Sequence, residues 1–245
     1  MSENTISRFA NLLRNAKRIA VLTGAGMSTE SGIPDFRSST GVYNTISSEE
    51  IFDIDAFYAK PEHFYKVMGP FLCTMSEAQP NAGHLALARL EQTGRQVTIA
   101  TQNIDGLHQL AKSTHVAEVH GTLSTMTCLT CGGHETSSRL KDFFQQGKVP
   151  HCPCGGIYKP DITFYGESLP QKAFMEAVAS FQSCDLALIL GTSLAVYPAA
   201  SLPSLRPHGT PVVVINKSSV DIDAAITFSD AIGKILPQAV DMLVS

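Results

Sequence analysis

The chain has no tryptophan, and only 7% of its 245 residues are aromatic. It also lacks any unbroken apolar run of the roughly 18 residues or more that a membrane-spanning helix requires. There is no surplus of positive charge: 18 Lys plus Arg stand against 22 Asp plus Glu, a net charge of −4. Such a balance offers no electrostatic footing for nucleic acid, whose binding depends on neutralising phosphates. The N-terminal MSENTISRFANLLRNAKR has no apolar h-region of the kind that marks a signal peptide; Ile6, Phe9, Ala10, Leu12 and Leu13 instead follow helical spacing. Internal repeats and low-complexity tracts are missing as well. These absences exclude a membrane or nucleic-acid partner and leave a cytoplasmic globular enzyme, long enough for one large domain or one domain with a small insert. In that reducing compartment, the six cysteines are read as metal ligands before they are read as disulfides.

What the chain does have is a series of short apolar runs. Residues 19–23, 97–101, 162–165, 186–190 and 212–215 read as buried strands, separated by helix-like stretches. The clearest helix covers 81–91, with Asn81 placed to cap its start and Gly94 just past its end. Alternating strands and helices predict an α/β fold, a parallel sheet covered on both faces. Ligands then bind at the carboxyl ends of the strands. Three of those ends carry unusual runs, at 24–37, 102–108 and 191–198. The stretch 123–158, rich in Thr, Gly and Cys with little strand periodicity, reads as a small metal-bound insert. Residues 38–50 are too polar for core and read as a mobile lid.

The first run is GAGMSTESGIPDFR. Gly24 and Gly26 would let backbone pass close to a pyrophosphate, with Ser28 and Thr29 at a helix start. The third glycine of the usual dinucleotide fingerprint is missing, Thr29 standing in its place, so a tight turn explains the pair equally well. Asp35, Phe36 and Arg37, following a proline, are poor core material and read as ligand contacts. The second run, TQNIDGLH, puts Asn103 and Asp105 on either side of Ile104, so both can face one crevice. His120, in EVHG at a strand end, is the natural general base for a hydroxyl at neutral pH; His108 can support it. Cys128 and Cys131, then Cys152 and Cys154, make two thiolate pairs, each followed by Gly-Gly, in the pattern of a tetrahedral structural zinc. The second pair is C-x-C where C-x-x-C is commoner, and His134 or His151 could replace one thiolate.

Taken in order, GAGMSTESGIPDFR, TQNIDGLH, VHG, the four cysteines, KPDITFYGE, GTSLAVYPAA and VVVIN resemble the sirtuin family over nearly the whole chain, as a core-only, prokaryotic-type member. The resemblance implies a Rossmann-type doubly wound sheet in a large domain (about 1–37, 75–122 and 159–245). It also implies a small zinc-ribbon domain (about 123–158) and a helical and lid insert (about 38–74). It implies a NAD-dependent protein-lysine deacetylase that acts on acetyl-lysine proteins or peptides and releases nicotinamide and O-acetyl-ADP-ribose. On this resemblance Gly24, Ala25, Gly26, Thr29, Phe36 and Arg37 bind NAD along the first loop. Gln102, Asn103, Ile104 and Asp105 hold the ribose and nicotinamide end, and Ile33, Asp35, Ile104 and Asp105 form the nicotinamide pocket. Gly191, Thr192, Ser193, Asn216 and Ile232 take the phosphate and adenosine side. His120 is the base, assisted by Asn103 and Asp105, and Thr163, Tyr165, Gly166, Glu167, Val196 and Tyr197 meet the peptide by added-strand contacts. Succinyl-selective sirtuins carry a Tyr-x-x-Arg pair; here the equivalent is Tyr65 and Met68, so a carboxylate acyl group lacks its charge partner and uncharged groups are preferred. A transferase or hydrolase using the same NAD site, and a non-catalytic reader, are the rival readings.

Overall fold

Alternation along the first apolar run decides how the sheet is covered. Strand β1 (Arg18–Thr23) turns Ile19 and Val21 to one face and Ala20 and Leu22 to the other, and all four are buried. A strand apolar on both sides needs helices on both sides. The computed structural model, which describes residues 3–35 and 51–244, supplies them. In chain order come helix α1 (Glu3–Asn15), β1, helices α2 (Ile54–Ala59), α3 (Pro61–Glu77) and α4 (Ala82–Gln92), and strands β2 (Gln96–Thr101) and β3 (Val116–Glu118). Strands β4 (Gly121–Cys128) and β5 (His134–Thr136), helix α5 (Lys141–Gln145), strand β6 (Tyr158–Ile162) and helix α6 (Gln171–Ser183) follow. Strands β7 (Leu186–Leu190), β8 (Val212–Ile215) and β9 (Ile226–Phe228) and helix α7 (Ile232–Val244) complete the described chain, with short helical turns between. Among the described residues no helix is long and apolar enough to cross a membrane.

Six strands form one sheet in the order β3-β2-β1-β7-β8-β9, every pairing parallel. The order reverses between β1 and β7, the switch point where doubly wound sheets open a crevice at their carboxyl edge. Helices α1, α4 and α7 cover one face through Phe9, Leu13, Leu87, Leu90, Ile235 and Leu236. On the other face the sheet offers Ala20, Ala100, Ala117 and Ala187 alongside Leu22, Ile189, Val212 and Val214, in one core with Ala177 and Phe181 of α6. Helix α4 begins as the sequence predicts: the Asn81 side chain accepts from the N–H groups of Gly83 and His84, and Gly94 follows in the left-handed region at φ 83°.

The remaining elements make a second lobe with one shared core. Phe57, Phe64, Tyr65, Met68 and Leu72 of α2 and α3 pack with Leu123, Met126, Tyr158 and Phe144 from the cysteine-bearing segment. Tyr65 stacks on Phe144 with ring centroids 6.1 Å apart. The segment read as irregular therefore contains a three-stranded antiparallel sheet, β5-β4-β6. Its strand β4 buries Leu123 and then Met126 and Cys128, the alternation slipping by one residue at an irregularity in its pairing with β6, and Thr and Ser on the outer face weaken the apolar signal further. The apolar run 162–165, expected as a strand of the parallel sheet, is corrected: β6 ends at Ile162 and pairs with β4, and Tyr165 makes only an isolated bridge to Asp53. Strands β3 and β9, three residues each, are too short to show a period.

Candidate active site

The two strands at the switch point are joined backbone to backbone. Gly24 N–H donates to the Leu190 carbonyl at 3.1 Å and Gly26 N–H to that of Gly191 at 2.9 Å. A Cβ on Gly26 would lie 2.8 Å from the Gly191 Cα, so this glycine is required by loop packing before any ligand arrives. The helix start expected here is replaced by two single 3₁₀ turns, Ala25–Met27 and Thr29–Ser31. Between them Ser28 is buried, donates to the Asp105 carboxylate at 2.7 Å and accepts from the Asn103 amide at 3.0 Å. Asn103 Nδ2 also donates to the Gly24 carbonyl at 3.0 Å. Ser28 thus ties the first polar run to the second, a role that its sequence position, merely a hydroxyl in a turn, does not announce. Burial pushes the Asp105 carboxyl above its ordinary pKa, opposed by hydrogen bonds from Ser28 and the Leu107 N–H.

Gln102 connects the second run to the third, its Nε2 donating to Thr192 Oγ1 at 2.9 Å. Its carbonyl lies 3.2 Å from His120 Nδ1. A carbonyl only accepts, so Nδ1 carries the proton and Nε2 keeps its lone pair. Burial lowers the His120 pKa from 6.5, partly offset by the bond to Gln102. The imidazole at neutral pH is therefore a neutral base of defined tautomer.

All of these groups open onto one cleft of about 820 Å³, within the range of ligand sites, about 300–1,000 Å³. Every sequence-predicted cofactor or peptide residue that lies in the described segments lines it; Phe36, Arg37 and the lid at 38–50 lie outside those segments. From the large sheet come Gly24, Ala25, Gly26, Thr29, Ile33, Asp35, Gln102, Asn103, Ile104, Asp105, His120, Gly191, Thr192, Ser193, Asn216 and Ile232. Thr163, Tyr165, Gly166, Glu167, Val196 and Tyr197 line the side between the two loops. The structure adds Phe52, Phe71, Leu72 and Met75 as an apolar wall from the small lobe, and Lys217 and Asp230 beside Asn216. The wall residues read in the sequence as ordinary core, and nothing in their spacing marks them.

The sequence pattern that defines the Sir2 family matches residues 24–198. The chain belongs to the Sir2 family. It is 40% identical over 224 residues, 91% of each chain, to a Thermotoga maritima protein named NAD-dependent protein deacetylase. An Archaeoglobus fulgidus protein named NAD-dependent protein deacylase 2 is 37% identical over 98% of this chain and 96% of its own length. Among solved structures, a Sir2 complex with a p53 peptide and NAD+ superposes with a TM-score of 0.88 at 36% identity, covering 97% of this chain and 98% of that one.

This Sir2 protein also brings four thiols together in a set fit for a metal. The Sγ atoms of Cys128, Cys131, Cys152 and Cys154 lie within 4.8 Å of one another, with Cys128–Cys154 at 3.5 Å and Cys131–Cys152 at 3.7 Å. Zinc bound tetrahedrally at about 2.3 Å sets its sulfurs roughly 3.8 Å apart, so the donor set fits structural zinc, with all four positions filled. The histidine alternatives fall away because the four thiols converge by themselves, and neither His134 nor His151 belongs to the cluster. The short C-x-C turn closes because Gly156 follows it; a Cβ there would sit 2.7 Å from Cys128 Sγ.

His108 lies behind the cleft. It is buried, and its Nε2 meets Thr23 Oγ1 at 3.1 Å, which donates to Thr101 Oγ1 at 2.8 Å. The network pins the ends of β1 and β2. The His108 ring is 4.8 Å from that of buried His84, and burial lowers both pKa values, that of His84 from 6.5 to about 4. Both rings are neutral in the fold, whereas in the unfolded chain they take up protons below about pH 6.5. Stability is therefore expected to be full above that pH and to fall as the pH drops from 6.5 towards 4, by roughly 1.4 kcal/mol per histidine per pH unit. Urea denaturation at pH 7, 6 and 5 measures the slope. A His108→Gln variant should show a shallower one, and an unchanged slope would remove this pair as its source.

Proposed function

We propose that this Sir2 protein is a NAD-dependent protein-lysine deacetylase that prefers uncharged acyl groups and releases nicotinamide and O-acetyl-ADP-ribose. The observation that carries this reading is a neutral base of fixed tautomer, His120, in the same cleft as the strand-end loops of a nucleotide-type sheet and the two loops suited to a peptide. Bound NAD supplies the electrophile, the anomeric carbon of its nicotinamide ribose, to which the acyl oxygen of the lysine bonds as nicotinamide leaves. Ile33, Asp35, Ile104 and Asp105 surround the nicotinamide. Asn103, held by Gly24 and Ser28, orients the ribose without competing as a nucleophile. His120 Nε2 takes the proton from a ribose hydroxyl so that its oxygen attacks the acyl carbon, the lysine amine leaves, and a water molecule adds to give O-acetyl-ADP-ribose. Thr192, Ser193 and Asn216 hold the phosphates and adenosine. Gly166 and Glu167 on one side and Val196 and Tyr197 on the other hold the peptide in extended form. Phe52, Phe71 and the remaining apolar wall exclude water around the reacting centre.

The acyl preference rests on Met68. It lines the cleft, no arginine does so among the described residues, and the lysine that does, Lys217, belongs to the β8 end. The Tyr65 hydroxyl donates to the Tyr158 carbonyl inside the small-lobe core. A succinyl carboxylate would be buried with no cation to meet it, at about 1–3 kcal/mol or more, so kcat/KM for succinyl-lysine is expected to be roughly tenfold or more below that for acetyl-lysine. A panel of acetyl, propionyl and succinyl peptides with NAD, read by mass spectrometry for free lysine and nicotinamide in equal amounts, tests both parts. Equal turnover of succinyl peptide would sink the preference. An ADP-ribose adduct on protein, with the acyl peptide intact, would place the chain among the transferases instead.

A further inference from the structure

We infer that Lys159 is a positioning residue for peptide binding, and that the Glu167 side chain acts by holding Lys159, leaving only the Glu167 backbone to meet the substrate. This deepens the proposed peptide role of the loop Thr163 to Glu167 and rests on that reading. Lys159 lies on β6 and is only 7% exposed. An ammonium has three donors, and here each has an acceptor: Glu167 Oε2 at 2.9 Å, the Ile162 carbonyl at 3.0 Å and the Pro160 carbonyl at 3.2 Å. The Phe164 ring covers it, with the nitrogen 4.4 Å from the centroid. Glu167 Oε2 also accepts the Phe164 N–H at 2.8 Å. One carboxylate oxygen is therefore occupied by the loop itself, although the residue borders the cleft.

The position of this clamp in the chain is what matters. Lys159 grips the backbone at Ile162 and, through Glu167, at Phe164. Between those points Thr163 N–H donates to the His120 carbonyl at 2.8 Å. One residue further, Tyr165 is paired on both sides of its peptide, its N–H to Phe52 at 2.7 Å and its carbonyl to Ile54 at 3.1 Å. Gly166, exposed at φ 91°, is left facing the cleft. The distance between that edge and His120 is thus set by an ion pair between buried Lys159 and half-buried Glu167. Removing the ammonium leaves Glu167 and two carbonyls without their donor, and the loop must shift to rehydrate them. Such a shift moves the peptide and leaves the nucleotide loops in place.

The test measures the two ligands separately on the full-length zinc-loaded protein: an acetyl-lysine peptide by fluorescence anisotropy and NAD by calorimetry. Lys159→Met is expected to weaken peptide binding about tenfold or more, with NAD affinity within about twofold, since a misplaced edge costs the ligand it positions. Lys159→Arg should recover most of the loss. Glu167→Gln, which keeps the side-chain shape and serves should Lys159→Met fail to fold, should weaken peptides with basic and acidic flanks equally. Unchanged peptide affinity in the Met and Gln variants would overturn the inference. So would an equal loss for NAD, or a Glu167→Gln effect that follows the charge of the peptide flanks. Wild-type protein that binds the peptide without deacylating it would sink the proposed activity while these affinities still decide the role of Lys159.

Discussion

Replacing His120 with alanine is expected to lower NAD-dependent deacetylation by roughly 10²–10⁴-fold, the usual contribution of a positioned general base. Stability should change little, because the bond from Nδ1 to the Gln102 carbonyl is the interaction its ring makes at 3.2 Å. Nicotinamide release should fall less than release of free lysine, since the base acts after the bond to nicotinamide has broken. The pH dependence has a definite sign. The base works when neutral, and burial lowers its pKa from 6.5, so activity should hold at neutral pH and fall only as acid is added below that value. Rates of lysine and nicotinamide release from pH 5 to 8, for wild type and variant, check both points. Full deacetylation by the alanine variant would end the assignment.

Loss of zinc is expected to be the most damaging change to structure. A structural zinc in small domains carries about 10–16 kcal/mol of folding free energy, and here its ligands belong to a shared core. Cys128 packs in the same cluster as Met126, Tyr158, Phe64 and Met68, so the metal supports the helical insert and the acyl wall together with its own three strands. Chelation, or Cys131→Ala, should therefore abolish activity although no cysteine lines the cleft. Hydrogen exchange should show strands β4 to β6 and helix α3 opening while β1, β2 and β7, in their own parallel sheet, stay protected. A zinc-free variant with normal activity and an ordered small lobe would refute this account.

Much of this was legible in residues that lacked a packing reason to be where they are. Gln102, Asn103 and Asp105 follow directly on a buried strand, and such a run has no use inside a core. The four cysteines were legible because two close pairs, each followed by Gly-Gly, have the spacing of a metal knuckle. The apolar wall was not. Phe71, Leu72 and Met75 lie on one helix whose period is that of any core helix, and only the approach of the large sheet turns that face into a cleft. Strand β4 was hidden by its Thr and Ser content, and β6 because the apolar residues after it looked like a better strand than it did. Glu167 follows from the motif as an added-strand peptide contact, but local pattern does not show that its carboxylate meets Lys159, eight positions earlier across a turn.

The sequence alone determined the sheet class, since period and chain direction suffice for a parallel α/β layer structure. It also determined the metal, because four thiols in that spacing leave little choice, and it singled out His120 as the candidate base. The tertiary structure decided how these parts work together. Ser28 joins two loops separated by about 75 residues of chain, Gly26 yields its side-chain space to Gly191, and a carbonyl bond selects the His120 tautomer. These are contacts between distant segments, and local pattern carries no record of which distant atom will arrive to complete them.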